Sequence, residues 1–224
     1  MIDPEPLILT FRLALITTMI LLVLAFPIAY WLAYSKFKVK AIAETVVSMP
    51  LVLPPSVLGF YLLVAFSPSS WLGRFLESNF DLRLVFSFTG LVVASVIYSL
   101  PFMVHPIQAG FASLEPELKY ASYSLGKSRW TTLFRVLLPN MKSSLLTGVV
   151  LTFAHTIGEF GVVLMIGGNI PGETKVASMA IYDQVEMMHY DQANIYAFIL
   201  FAITFAILLI VYMVNQRYFS SRTI

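Results

Sequence analysis

The feature that most constrains this chain is a series of long apolar runs set between short polar segments. Five runs approach or exceed the roughly 20 mostly apolar residues that a membrane-crossing helix needs: Leu7 to Tyr34, Ala43 to Phe66, Val85 to Pro106, Ser144 to Ile166 and Ile195 to Val214. Of the 224 residues, 58% are hydrophobic and only 12% charged. Soluble domains carry about a quarter charged residues, so most of this surface must be solvated by lipid. The runs predict an all-α polytopic membrane protein, one domain over residues 1–224, with about five transmembrane helices. The opening M-I-D-P-E-P has two acids and no basic stretch, so the first run reads as a retained span and not as a cleaved signal.

Orientation follows from the placement of Lys and Arg. One set of loops carries Lys36, Lys38, Lys40, Lys119, Lys127, Arg129, Arg135, Lys142, Arg217 and Arg222; the other carries Arg12, Arg74, Arg83 and Lys175. The richer set marks the cytoplasm, which puts the N-terminus outside. Composition also excludes function classes. Without cysteine there is no disulfide, thiolate metal site or Cys nucleophile. A formal charge of +2 is too small to imply nucleic acid. No catalytic constellation is supported, so the chain is not expected to be an enzyme. Asp183, Glu186, His189 and Asp191 lack a metal-ligand spacing and read as a solvated external face, so no metal site is assigned. His105, beside Pro106, reads as an interfacial residue.

Two external segments carry local signals. Ser67 to Leu84 places Trp71, Leu72, Phe75 and Leu76 on one face, as an interfacial amphipathic helix would. Gly167 to Asn194 opens with a turn-rich G-G-N-I-P-G-E-T and continues into one further short helix, outside or partly dipping into the membrane. Within the second run, Pro50, Pro54 and Pro55 kink or break the helix. Carbonyls freed at that depth must be buried in protein or line a wet cavity. Pro54 and Pro55 are therefore candidates for a transport path, with a plain packing kink as the alternative. In the fourth run, A-H-T-I-G-E-F-G sets Glu159 four residues after His155, on one face of a continuous helix. The pair either satisfies itself inside the bundle or contributes to a path or gate. Gly158 and Gly161 permit close helix approach.

The segment Leu114 to Pro139, L-E-P-E-L-K-Y-A-S-Y-S-L-G-K-S-R-W-T-T-L-F-R-V-L-L-P, is a polar, basic, helix-forming block on the cytoplasmic side. Its G-K-S at Gly126 is not a phosphate-binding loop: that loop needs Gly five residues earlier, where this chain has Ala121. Any ATP chemistry must come from another chain. Gly126 is followed by nine residues and then Val136 to Pro139, V-L-L-P. This resembles the cytoplasmic loop of bacterial ABC importer permeases, which reads Glu-Ala-Ala, three residues, Gly, nine residues, Ile-x-Leu-Pro. Here the first three positions are Tyr120, Ala121 and Ser122, so the acid is replaced. I-G-E-F-G at Ile157 to Gly161, N-I-P-G-E-T at Asn169 to Thr174 and P-L-V-L-P-P at Pro50 to Pro55 resemble the molybdate permeases within that family, and sulfate permeases share part of the pattern.

The resemblance implies a type I ABC importer permease fold with a cytoplasmic coupling helix, in a loop of about residues 110–142. It implies coupling contacts to an ATP-binding subunit from Tyr120, Ala121, Ser122, Gly126, Leu138 and Pro139. It implies binding-protein contacts from Asn169, Pro171, Gly172, Glu173 and Thr174. The expected partners are two ATP-binding subunits, a second copy of this chain, an external oxyanion-binding protein and the lipid of a bacterial or archaeal cytoplasmic membrane. ATP and Mg would be used by the partner, and no cofactor by this chain. The cargo would be molybdate or tungstate; the rival readings are a sulfate or thiosulfate permease and, from another class, a secondary transporter. No Lys or Arg lies at the centre of a run, so no tight anion site is expected.

Overall fold

The computed structural model describes residues 3–220, with side chains as far as Met213, and all regular structure among them is helical. Of the basic residues counted above, Arg217 by its side chain and Arg222 altogether lie outside the described residues. In chain order the helices are α1 (Glu5–Tyr34), α2 (Val39–Val52), α3 (Pro55–Phe66), α4 (Trp71–Phe80), α5 (Phe88–Ala112), α6 (Pro116–Ser124) and α7 (Arg129–Thr132). A single π-type turn, Leu133–Leu137, follows, and then α8 (Leu138–Asn140), α9 (Lys142–Ile157), α10 (Gly161–Gly167), α11 (Ala177–Glu186) and α12 (Tyr190–Ser220).

Three of the five expected spans are single long helices: α1, α5 and α12. The other two are broken. α2 and α3 turn through 113° at Leu53 and Pro54. Single prolines do not do this: Pro27, Pro50, Pro101 and Pro106 all sit inside helices. The difference is the doublet. A residue before proline is driven out of the helical region, and here that applies to Leu53 (ψ 135°) and again to Pro54 (ψ 135°). Two consecutive extended residues end the helix. Pro50 therefore takes no part in the break. The fourth run is not continuous either. α9 stops at Gly158, and α10 resumes only after Phe160. The third span runs beyond Pro106 to Ala112, so His105 lies within α5 and not at its end. Its Nε2 bonds the Ser48 hydroxyl of α2 at 3.1 Å.

The expected external helices both form. α4 starts where the Ser70 hydroxyl accepts the Gly73 N–H at 2.8 Å, an N-cap worth about 1 kcal/mol. It exposes Trp71 and Phe75, stacked with ring centroids 5.9 Å apart. α11 is held at its start by α1: the Thr10 hydroxyl accepts the Ala177 N–H at 2.8 Å. The core lies between α1, α5, α9 and α10. Leu21, Leu32, Met103, Ile107 and Phe111 fill the half beside α6. Leu13, Leu91, Val162, Ile166 and Met179 fill the external half.

Candidate functional site

The two breaks meet. Between them opens a cavity of about 650 Å³, lined by Pro55, Ser56, Tyr98, His155, Gly158, Glu159 and Gly161, among others. Five of the six path residues expected from sequence thus converge from positions about a hundred residues apart; Pro54 stands beside them. α10 packs on α3 through glycines. A methyl group placed on Gly161 would stand 2.8 Å from the Pro55 Cβ, and one on Gly59 would stand 2.8 Å from the Met165 Cβ. Gly158 plays a different part from the one expected. Its Cβ would meet nothing closer than 3.8 Å, so it ends α9 and does not admit a neighbouring helix.

His155 and Glu159 do not satisfy each other, and the reason is the break. α9 ends at Ile157, so the four-residue spacing no longer stacks the two side chains. Each turns to α5 instead. Ser95 donates its hydroxyl to Glu159 Oε2 at 2.9 Å, and Ser99 Oγ meets His155 Nδ1 at 3.1 Å. Ser99 also bonds the Thr156 hydroxyl at 3.1 Å. The His155 ring is stacked on Phe102 with centroids 3.9 Å apart. Glu159 is buried and its Oε1 has no hydrogen-bond partner. Its carbonyl accepts the Ser178 hydroxyl of α11 at 2.7 Å, which ties the break to the external surface. Ser95 and Ser99, one turn apart in an apolar run, were the sequence signal for these partners. Nothing in their spacing named the acid and the histidine they meet.

The coupling segment is built from a turn and a bridge. α6 closes in a Schellman motif: the Gly126 N–H donates to the Tyr123 carbonyl at 2.9 Å and the Lys127 N–H to the Ser122 carbonyl at 3.1 Å. Gly126 has φ +71°, which a side chain would resist, while a Cβ there would touch nothing within 4 Å. The glycine serves backbone geometry and not space. Ser128 then caps α7 by accepting the Thr131 N–H at 3.2 Å. So G-K-S is the end of one helix and the start of the next. Ser122 is buried and bonds the Thr132 hydroxyl at 2.8 Å. It holds the segment together from inside, as opposed to the outward contact expected of it. Leu138 and Pro139 form the short α8 and are half-buried. Ala121 and Gly126 are exposed, and the large side chains of the outward surface include Tyr120 (66% exposed), Leu125 (75%), Trp130 (71%) and Phe134 (54%).

In the external loop the expected contact residues divide in the same way. Thr174 is fully buried. Its hydroxyl donates to the Gly167 carbonyl at 2.7 Å and accepts the Ile170 N–H at 2.9 Å. Asn169 donates to Asp183 at 2.8 Å, and Lys175 forms an ion pair with Asp183. Asp183 is therefore a structural anchor and not part of a solvated face. Pro171, Gly172 and Glu173 form the exposed tip.

Residues 25–224 match the model of the family described as binding-protein-dependent transport system inner membrane component. The chain belongs to that family. It is a multi-pass inner membrane component of a transport system and not itself an enzyme. It is 49% identical over 187 residues to a molybdenum transport system permease protein of Azotobacter vinelandii, across 83% of this chain and 82% of that protein. It is 33% identical to a sulfate transport system permease protein of a Synechocystis strain, across 92% and 72%. Among solved structures it resembles the MetNI methionine ABC transporter in an inward-facing conformation, at a TM-score of 0.73 and 14% identity, across 95% of this chain and 94% of that one. It also resembles a bacterial ABC transporter that imports the acidic polysaccharide alginate, at 0.74 and 18%, across 96% and 80%. The fold is that of type I ABC importer permeases. Family membership implies an ATP-binding subunit and a substrate-binding protein as partners.

Proposed function

We propose that two copies of this chain form the membrane pore of an ATP-driven importer of molybdate, with tungstate as a second cargo. Two ATP-binding subunits, which use ATP and Mg, dock beneath; an external binding protein delivers the anion. The observation that carries the ATP-driven part is the coupling segment. The helix–turn–helix of α6 and α7 exposes Tyr120, Leu125, Trp130 and Phe134, with aromatic anchors of the kind that dominate protein interfaces. Molybdate is favoured over sulfate because identity is 49% to the molybdenum permease against 33% to the sulfate permease.

The cavity at the breaks is the proposed path. Its lining carries Ser56, Tyr98 and His155 but no Lys or Arg. A fixed cation at low dielectric would hold a divalent oxyanion too strongly for release. Neutral donors suit transit. Glu159 faces Ser95 and the helix contact, so its carboxyl helps shape the wall and leaves anion contact to the donors. Closure of the ATP-binding subunits would move the coupling segments and alternate access to this cavity. The exposed tip Pro171 to Glu173 is the proposed contact for the binding protein.

The test is uptake of labelled molybdate into vesicles holding the chain, its ATP-binding subunit and the binding protein. ATP-dependent uptake resisting a hundredfold excess of sulfate is expected. Uptake abolished by sulfate would reassign the cargo. Uptake driven by an ion gradient without ATP would favour a secondary transporter.

A further inference from the structure

We propose that Lys119 is the positioning residue that joins the coupling segment to the membrane bundle, through the faces of Tyr34 and Tyr30. This rests on the reading that α6 to α8 dock an ATP-binding subunit.

At the end of the bundle nearest α6, α1 and α5 share an aromatic block. Tyr30 and Tyr34 lie one turn apart with ring centroids 5.0 Å apart. Phe111 of α5 packs edge-on to Tyr30 at 5.2 Å and to Phe26 at 5.4 Å, and is fully buried. The Tyr34 hydroxyl reaches the Phe111 carbonyl at 3.4 Å. The block therefore moves as a unit with both helices. Onto it, from α6, comes Lys119: its Nζ sits 4.2 Å from the Tyr34 ring centroid and 5.8 Å from that of Tyr30. Among the described residues no carboxylate pairs with Lys119. The rings are its counterpart, and a cation held over ring faces is attracted by their electron-rich centres.

The placement of Lys119 on α6 strengthens this assignment. Lys119 and Ser122 are three residues apart and share a face, and Ser122 is the residue that locks α6 to Thr132. Tyr120, on the opposite side, is exposed. One helix of nine residues thus offers one side outward and anchors the other to both α7 and the bundle. An ammonium on two adjacent rings differs from a salt bridge in one useful respect. It can pass from one face to the other as α6 tilts, keeping contact through the stroke, whereas a bidentate ion pair would break. A push on the coupling segment would therefore reach α1 directly, and not only through the short link Ser113 to Glu115 that joins α5 to α6.

The experiment uses the assembled transporter in vesicles and reads anions moved per ATP hydrolysed. Lys119→Met keeps the stem and removes the charge. It is expected to assemble with the ATP-binding subunit and keep basal hydrolysis, while transport per ATP falls about fivefold or more. Lys119→Arg is expected within about twofold of the original, as is Tyr34→Phe, which keeps the ring; Tyr34→Leu is expected to match Lys119→Met. A normal ratio for Lys119→Met overturns the proposal. So does equal damage from Lys119→Arg and Lys119→Met, which would make the site one of shape alone. Failure of the unmodified chain to bind the ATP-binding subunit would instead overturn the docking reading, and this inference with it.

Discussion

The break in mid-bundle and the turn in the coupling segment each carry a glycine at a helix end, Gly161 at the start of α10 and Gly126 just after α6, and use it oppositely. At Gly161 the backbone of α10 meets Pro55 so closely that a methyl group would stand 2.8 Å from its Cβ. At Gly126 a methyl group would touch nothing, and only the φ of +71° asks for glycine. The first is a packing joint inside a close-packed interior, where added volume has nowhere to go. The second is a conformational joint at an exposed surface. The break is thus protected by stability, and the coupling segment is shaped for contact. Substitutions should separate the two.

The largest effect is expected at Gly161. Gly161→Leu forces α10 off α3, and overpacking of this kind costs about 1–3 kcal/mol or more. Purified protein should unfold in detergent well below the unmodified chain, measured by thermal denaturation; an unchanged midpoint would show that α3 and α10 part freely. Ser95→Ala should follow. It removes the one donor to the Glu159 carboxyl among the described residues, where Oε1 already has no partner, and an unsatisfied buried polar group costs about 1–3 kcal/mol. A companion Glu159→Leu change should recover part of that loss, and failure to recover any would mean the hydrogen bond is not what Ser95 supplies.

Gly126→Val should cost less stability, about 1–2 kcal/mol for the left-handed backbone, and more function. Substrate-stimulated ATP hydrolysis in the assembled complex should drop about tenfold, the factor that a 1.4 kcal/mol strain would impose. Stimulation at the original level would remove the turn from the coupling role. Trp130→Ala should have the smallest effect on stability, within about 0.5 kcal/mol, because the ring is 71% exposed. It should nevertheless weaken binding of the ATP-binding subunit by about tenfold or more, as truncation of an interface aromatic does. Equal affinity in a pull-down titration would place the interface elsewhere.

Much of the architecture was legible in the sequence. The apolar runs located the three long helices α1, α5 and α12 and the two interrupted segments, and the one-face spacing of Trp71, Leu72, Phe75 and Leu76 located α4. The residues around the two breaks were legible by type: Pro54 and Pro55 by their missing donors, Glu159 by its charge in an apolar run. What misled was continuity. Ser144 to Ile166 is apolar enough for one span, and Gly158 and Gly161 read as contact glycines, so the stop at Ile157 gave no separate signal. That stop rotated Glu159 off the His155 face. The coupling and loop motifs misled in a second way. Ser122 and Thr174 belong to them, but motif membership does not distinguish a residue that touches a partner from one that holds the turn, and both are buried.

The sequence by itself determined that this chain is a helical membrane protein, that Pro50, Pro54 and Pro55 kink or break its second span, and that a polar, basic segment lies between two apolar runs. These depend on lipid solvation and on backbone sterics between adjacent residues, which act over a few positions. Tertiary structure alone decided that Pro55 meets Gly161, that Ser95 and Ser99 receive Glu159 and His155, and that Lys119 rests on Tyr34. Those partners lie 56 to 106 residues apart for the first three pairs and 85 for the last. Which side chains meet over such distances is set by how the helices rotate and tilt to fill one core, and the hydrophobic pattern, satisfied by many rotations, does not specify it.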